Sequence, residues 1–400
     1  MLGRRRMLGL VAVALAVPHV ARGWSGSVDA RSLGLRPGEG DAAPALQQAI
    51  DAMAAGGGTL RLAPGEYRLG RTVRLPSGIV LDGPGAVLFE APGGPGGEAW
   101  LRGMKTGFIS LFALLANRHH AADAIADRDI TIRRLSFEYR GPQRGDAHAI
   151  GLRQVDGVTV SECRFLGGGN GTAFLSCRHT VVERCEARGT LNCAYDHWEG
   201  SSDGLVRDCF ARCAAGYGIL FTGQGTAGDN HRDARRLEAH GNVIEFPGEA
   251  GIWVCSLSEG SSVQEVLLRG NTVRGGEVPC NGIGATGDVR AILMDANTVA
   301  GVQDGNPLFS RPDAWHRPRD IAITRNTVKD CTPSAQGVAL IQALGDRVTV
   351  RGNRASGGQY RSLVWVNGDR ITLSDNVGDG LTSRFKYNAA AARRPRIEDP

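Results

Sequence analysis

Leu267-Leu268-Arg269-Gly270-Asn271-Thr272-Val273 recurs, with substitutions, along most of the chain. The same frame returns as Leu293-Met294-Asp295-Ala296-Asn297-Thr298-Val299 and as Ala322-Ile323-Thr324-Arg325-Asn326-Thr327-Val328. It restarts at Thr349 and Thr372 downstream, and at Thr131, Thr159, Val181, Leu205 and Glu238 upstream. The fifth position reads Leu135, Cys163, Cys185, Cys209, Asn242, Asn271, Asn297, Asn326, Asn353 and Asn376, at intervals of 22 to 33 residues. Three residues before each stands Ile132, Val160, Val182, Val206, Ala239, Leu268, Met294, Ile323, Val350 or Leu373. All ten are apolar. In a chain that is 42% apolar, ten in succession arise by chance only about once in several thousand trials, so the repeat is genuine.

The period and the β-branched content suit one coil of a parallel β-helix, whose strands stack at ~4.8 Å and whose inward residues form columns. The expectation is therefore an all-β chain, a single solenoid of about ten coils. Asparagine at the fifth position suits a residue in or near the left-handed region whose amide bonds to the next rung. Cys163, Cys185 and Cys209 replace it in three early rungs and are expected to form an inward column of free thiols, since buried cysteine behaves as a small hydrophobe. Disulfides between stacked rungs, or a metal, are the alternatives. Only Cys209 and Cys213 are close in sequence, and none of the nine cysteines shows a C-x₂-C spacing.

Glycine contributes 57 of the 400 residues, without the Gly-X-Y period of collagen, as expected of many short strands joined by tight turns. A formal charge of +5 and a pI near 8.8 would suit an anionic partner without demanding one.

Residues 1–23 read as an export signal. Arg4, Arg5 and Arg6 precede an apolar run from Met7 to Val17, with Ala21 or Gly23 at the exit. The run is too short to span a bilayer, which needs ~20 residues. The arginine cluster resembles a twin-arginine signal, although Gly3 stands where Ser or Thr is commoner; an ordinary secretory signal is the alternative. Residues 24–90 form a cap and first strands, 91–385 the coils, and 386–400 a basic tail expected to be disordered. In the cap, Ala45, Leu46, Ala49, Ile50 and Met53 recur at helical spacing and Gly56-Gly57-Gly58 stops the run. A helix here would cover the open end of the first coil.

The run Leu46-Gln47-Gln48-Ala49-Ile50, then Gly57-Gly58-Thr59, Pro64-Gly65-Glu66-Tyr67 and Leu75-Pro76-Ser77-Gly78 resembles the N-terminal signature of the pectate-lyase-like superfamily. Phage tailspike depolymerases and sugar epimerases, hydrolases and lyases share that signature. The match covers roughly residues 28–85. It implies a right-handed parallel β-helix with an N-terminal capping helix, acting on or binding a polysaccharide. It does not choose among lyase, epimerase, hydrolase and binding protein, because the fold hosts all of them.

One coil breaks the apolar pattern. Where its neighbours read Ala149-Ile150-Gly151-Leu152 or Gly218-Ile219-Leu220-Phe221, it reads Ala194-Tyr195-Asp196-His197-Trp198-Glu199. Tyr195 and His197 could exchange a proton at a sugar C5, as β-elimination or epimerisation requires. Asp196 and Glu199 could instead serve glycoside hydrolysis, and Trp198 could stack on a pyranose. The stretch is similar to the Tyr-Gly-x-Asp-Pro-His motif of alginate C5-epimerases but lacks its Gly and Pro. Strand alternation sends neighbours to opposite faces, so a common outward face would require a bulge. The bland alternative is a polar structural kink.

Tyr195, Asp196, His197 and Glu199 are thus the catalytic candidates, with His197 as base. Its replacement by Ala is expected to abolish turnover while leaving stability nearly intact. Trp198, His231, His148 and Trp253 are the substrate-binding candidates. The expected partner is an acidic, uronate-containing polysaccharide, with no nucleic acid and no membrane, and the oligomeric state is left open. No metal or organic cofactor is called for; whether Ca²⁺ offsets a substrate carboxylate is also open.

Overall fold

The computed structural model of the chain describes residues 26–38, 40–90, 112–119, 124–141, 145, 147–213, 215–224, 233–333, 339–379, 383–387 and 396–397. Residues 1–23, expected to be an export signal, and His231 lie outside them. The fold is a right-handed parallel β-helix, the hand that parallel crossovers almost always take. Two long parallel sheets run its length: sheet A, with 24 strands, and sheet B, with 12.

The repeat frame is the register of sheet A. Ile132, Val160, Val182, Val206, Ala239, Leu268, Met294, Ile323, Val350 and Leu373 are consecutive cross-strand partners. All ten are buried. Sheet B's twelve strands extend the stack beyond the ten repeat segments.

The corner within each sheet A segment is made one residue earlier than expected. The left-handed residue is the fourth of the frame, as at Arg134, Glu162, Arg184, Asp208, Ala296, Arg325 and Asp375 (φ 50–58°), with Gly at 241, 270 and 352. That kink turns the fifth side chain into the interior. There the Asn242 Nδ2 donates to the Asn271 Oδ1 (2.8 Å) and to the carbonyl of Val206 (2.9 Å). The pattern repeats from Asn271 through Asn353, with amide-to-amide distances of 2.8–3.0 Å. Each buried amide thereby satisfies a backbone carbonyl that would otherwise be stranded at the corner.

Cys163, Cys185 and Cys209 occupy the same column. Their thiols face the same kind of carbonyl, those of Ile132, Val160 and Val182, at 3.6–3.7 Å. All nine cysteines are free and buried. Burial pushes the Cys185 and Cys209 thiols well above their usual pKa, so they remain neutral core groups. Among the described residues no three His, Cys, Asp or Glu side chains converge on a metal position.

The capping helix α1 (Ala43–Met53) buries Ala43, Leu46, Ala49, Ile50 and Met53. Asp41 Oδ1 accepts from the Ala43 amide (3.0 Å) at its start. Gln47 pairs reciprocally with the backbone of Arg74, at 2.7 and 3.0 Å, occupying the edge of the first sheet B strand, Val73–Leu75. That edge would otherwise offer free amides to another chain. At the far end, part of the segment assigned to a disordered tail is strand. Ser383–Tyr387 pairs with Ser362–Asn367, and Arg396–Ile397 pairs with Thr372–Ser374. The last coils offer unpaired edges that the basic segment extends, so its charge did not decide its structure.

Candidate functional site

The Cys193–Trp198 strand of sheet B keeps one register with its neighbours, without a bulge. Tyr195 packs into the main core and His197 lies between two of its rings, whereas Asp196 and Trp198 face outward. This overturns the expectation that Tyr195 and His197 would present a proton-transfer surface. Tyr195 stacks edge-on to Phe165 (6.4 Å) and donates its hydroxyl to the Phe210 carbonyl (2.9 Å). His197 lies edge-on between Phe174 and Phe221, at 5.2 and 5.4 Å, with Nε2 2.7 Å from the Thr180 hydroxyl. Gly204 on the facing strand makes room for the ring, since a Cβ there would sit 2.8 Å from it. Burial lowers the His197 pKa to about 3, so it is a neutral core imidazole.

Asp196 faces outward yet is fully withdrawn from solvent. Asn170 Nδ2 reaches one oxygen (3.2 Å), and Oδ1 has no partner. Desolvation pushes its pKa well above the carboxylate range, with only Asn170 opposing. Trp198 packs on Leu175 and Ala173 of the outer face. Glu199 sits at the following corner in the left-handed region (φ 45°) and is buried. His148 is buried two strands before this coil, in register with Asn170 and Cys193. The residues expected to form one cluster are therefore divided between core, outer face and corner.

Trp253 leads to a different place. It lies two strands beyond Asp196 in the same outward column, Asp196–Leu220–Trp253–Gly284–Phe309. A cavity of about 440 Å³ opens beside it, lined by Tyr217, Glu249, Asn281, Asp304, Asn306 and Arg311 among others. The Tyr217 and Trp253 rings stand 5.2 Å apart at 41°. Trp253 Nε1 donates to the Thr286 hydroxyl (2.9 Å), fixing the indole. Phe309 lies over Gly284, where a Cβ would collide with its ring at 2.0 Å.

The polar side of the cavity is ordered by amides. Asn306 donates from its backbone and side chain to Asn281 Oδ1, at 3.1 and 2.9 Å, and Gln342 donates to Asn306 Oδ1. Tyr217 donates its hydroxyl to Glu249 Oε2. Burial, then that carboxylate, drive the Tyr217 pKa up, so it stays protonated. Arg311 carries its guanidinium 4.9 Å from the Phe309 ring centroid. Burial alone lowers its pKa, and no described carboxylate pairs with it. A half-desolvated cation beside an aromatic platform is arranged for an anionic ring-shaped ligand.

Sequence reading found Trp253 but missed Tyr217, Glu249, Asp304 and Arg311. A signal was present: large apolar residues in one outward column of sheet B, Leu220, Trp253, Phe309 and Trp365, interrupted by Gly284 and Gln342.

Fold and cavity together define a right-handed parallel β-helix with an aromatic, charged recess on one outer sheet. The sequence matches the family described as right handed beta helix region over residues 114–265. No curated protein matches it. Among solved structures, PfbA, a surface adhesin of Streptococcus pneumoniae, is similar at 13% identity and a TM-score of 0.63, over 92% of this chain and 93% of that one. The mannuronan C-5 epimerase A-module of Azotobacter vinelandii gives 16% identity and 0.52, over 88% and 98%. A tailspike protein mutant of E. coli bacteriophage HK620, in complex with pentasaccharide, gives 12% and 0.67, over 88% and 67%. What these proteins share with the chain is the right-handed parallel β-helix fold. No described helix is long and apolar enough to cross a membrane.

Proposed function

We propose that the protein is an exported, carbohydrate-active β-helix that binds a uronate-containing polysaccharide in the Trp253 cavity and acts on it as a lyase or epimerase. The observation that carries this reading is Arg311, a half-buried cation without an acidic partner, in one recess with the Tyr217–Trp253 pair. Pyranose faces stack on such rings, and a uronate carboxylate supplies the missing charge. The adhesin and the tailspike, proteins of cell or virion surfaces with the same fold, support the assignment to the exterior, as does the N-terminal arginine and apolar run.

In this recess the proton-transfer roles pass from the Tyr195–Glu199 stretch to Glu249 and Tyr217. Glu249 takes the proton at C5 of the uronate while Arg311 neutralises the adjacent carboxylate. Tyr217, held protonated, donates to the departing O4 as the C4–O4 bond breaks; in epimerisation the proton returned to the opposite face of C5 would come from a group other than this hydrogen-bonded pair. The presence of both Glu249 and Asp304 on the cavity wall favours glycoside hydrolysis as the second reading, since that chemistry uses two carboxylates. Binding without turnover is the third outcome.

The test is a screen of alginate, pectate and bacterial exopolysaccharides with four readouts. Elimination creates an unsaturated product absorbing in the near ultraviolet, hydrolysis creates reducing ends alone, and epimerisation changes the anomeric proton spectrum without either. Tryptophan fluorescence reports binding. Glu249→Gln is expected to lower turnover ~10²–10⁴-fold, and Trp253→Ala to abolish binding in the cavity. A polymer that is bound or turned over equally well by both variants removes the cavity from the function.

A further inference from the structure

A second recess lies on the other side of sheet B, at the corner where its strands turn into sheet A. It has a volume of about 340 Å³, and its walls include Gln154, Ser176, Arg178, Ser202, Arg235 and Gln264. These come from successive coils, so the recess runs along the helix axis rather than across it. Arg178, Ser202, Arg235 and Gln264 are direct cross-strand partners in one column of sheet A. Two coils separate the arginines, about 10 Å at the usual strand spacing.

These arginines differ from those around them. Further along the same column, Arg290 and Arg319 both pair with Asp288, at 2.8 and 3.5 Å. Arg178 and Arg235 are exposed and have no acidic partner among the described residues. The nearby carboxylates form no ion pair with either arginine. Asp156, the in-register neighbour of Arg178, binds His179 Nδ1 (2.6 Å). Asp203, beside Ser202, forms a two-pronged pair with Arg236 at 2.5 and 2.8 Å. Asp233, on the recess wall, accepts the Ser262 amide (2.8 Å).

We propose that this corner is a second glycan-binding strip, which takes an acidic polysaccharide lengthwise with anionic groups on Arg178 and Arg235. Between the two cations the column carries the neutral Ser202, and Gln264 continues it beyond Arg235. That alternation matches a chain whose charges are separated by hydroxyl-rich sugar rings. None of the lining residues is aromatic, so the recess lacks the stacking platform that single-stranded nucleic acid uses. The strip is separate from the Trp253 cavity and does not depend on its chemistry. Its use would be to hold a polymer on the protein between encounters with the cavity.

The experiment uses the full-length protein with polygalacturonate, alginate, dextran sulfate, neutral dextran and a single-stranded DNA oligonucleotide, by affinity electrophoresis and calorimetry at low and physiological salt. The double variant Arg178→Ala/Arg235→Ala is expected to lose about threefold to tenfold in affinity for a polyuronate, with a shallower salt dependence, and to keep its thermal midpoint. Arg178→Lys/Arg235→Lys should restore part of the loss. In a Trp253→Ala/Arg311→Ala background, residual polyuronate binding should persist and then disappear when the corner arginines are also removed. Equal affinity of wild type and corner variant overturns the strip, even if the cavity binds. So does wild-type protein that retains no acidic glycan, or DNA that competes as well as polyuronate. Loss of turnover in Glu249→Gln with corner binding intact bears on the cavity alone.

Discussion

Sheets A and B are built from the same coils, yet their outer faces are finished differently. A sheet A strand such as Ser202–Arg207 alternates buried and accessible positions to its end, as expected of a sheet with one face in water. Sheet B strands such as Asn170–Leu175 and Ala339–Leu344 are buried at every position. Sheet A's outer face carries arginine–carboxylate pairs between rungs: Arg134 with Asp82, Arg207 with Glu183, Arg325 with Asp295. Burial alone would raise the Asp82 and Asp295 pKa values, but the neighbouring guanidinium groups overrule it and hold both below the carboxylate range. Sheet B's outer face instead holds a desolvated acid with only an amide partner, Asp196, and, in the cavity, Arg311, which forms no ion pair with a described carboxylate. Along sheet A most charges are paired within the fold, with Arg178 and Arg235 at its corner among the exceptions. On sheet B an accessible unmatched charge, Arg311, stands in the recess where an anionic ligand would be received.

That contrast breaks most visibly at His197 if its placement is wrong. As a core side chain, its replacement by Ala should cost about 3 kcal/mol through the cavity left between Phe174 and Phe221, read by chemical denaturation. Its folded pKa, near 3, lies below the unfolded value of 6.5. Its contribution is therefore present above pH 6.5 and is lost at about 1.4 kcal/mol per pH unit as pH falls towards 3. His197→Phe should remove that slope. Unchanged stability together with abolished turnover would return the imidazole to the surface.

Asp196 should titrate in the opposite sense. Its folded pKa is raised, so its contribution is complete below the unfolded value and is lost as pH rises through the folded one. Asp196→Asn removes the ionisation and keeps an amide within reach of Asn170. It should stabilise the protein at pH 7 by about 1 kcal/mol, with the gain fading as pH falls from 7 towards the unfolded carboxylate value near 3.8. A variant less stable at pH 7 than wild type would mean that the carboxylate is ionised and has a partner.

The smallest effect should fall on sheet A. Arg207→Ala removes a pair with Glu183 in which the arginine is exposed and Arg184 remains to replace it. The expected loss is below about 1 kcal/mol and shrinks with added salt. Glycan affinity should not change. A larger loss would show that sheet A's pairs act as a network rather than as separate surface contacts.

How much of this was readable beforehand varies with the distance over which the deciding interaction acts. The sheet A register and its apolar column were legible because every coil repeats them, so an error in one rung is corrected by nine others. The asparagine column was legible too, but its left-handed residue was placed one position late. Both Asn and Asp tolerate that conformation, and composition does not say which of two adjacent residues turns the corner. The Tyr195–Glu199 stretch was visible as an anomaly and misread as a cluster.

The sequence by itself determined the coil, its period, the residues that line the sheet A core and the capping helix. These follow from local geometry repeated many times: strand alternation, helical spacing, a kink before each fifth residue. Only the tertiary structure decided which side of the Cys193–Trp198 strand meets the core, because that phase is set by packing against Gly204 and Thr180 on another sheet. It alone showed which arginines find a carboxylate, since many of the partners lie one coil away at a separation that varies from rung to rung. A charge that is matched and one that is left open look alike along the chain; they differ only across it.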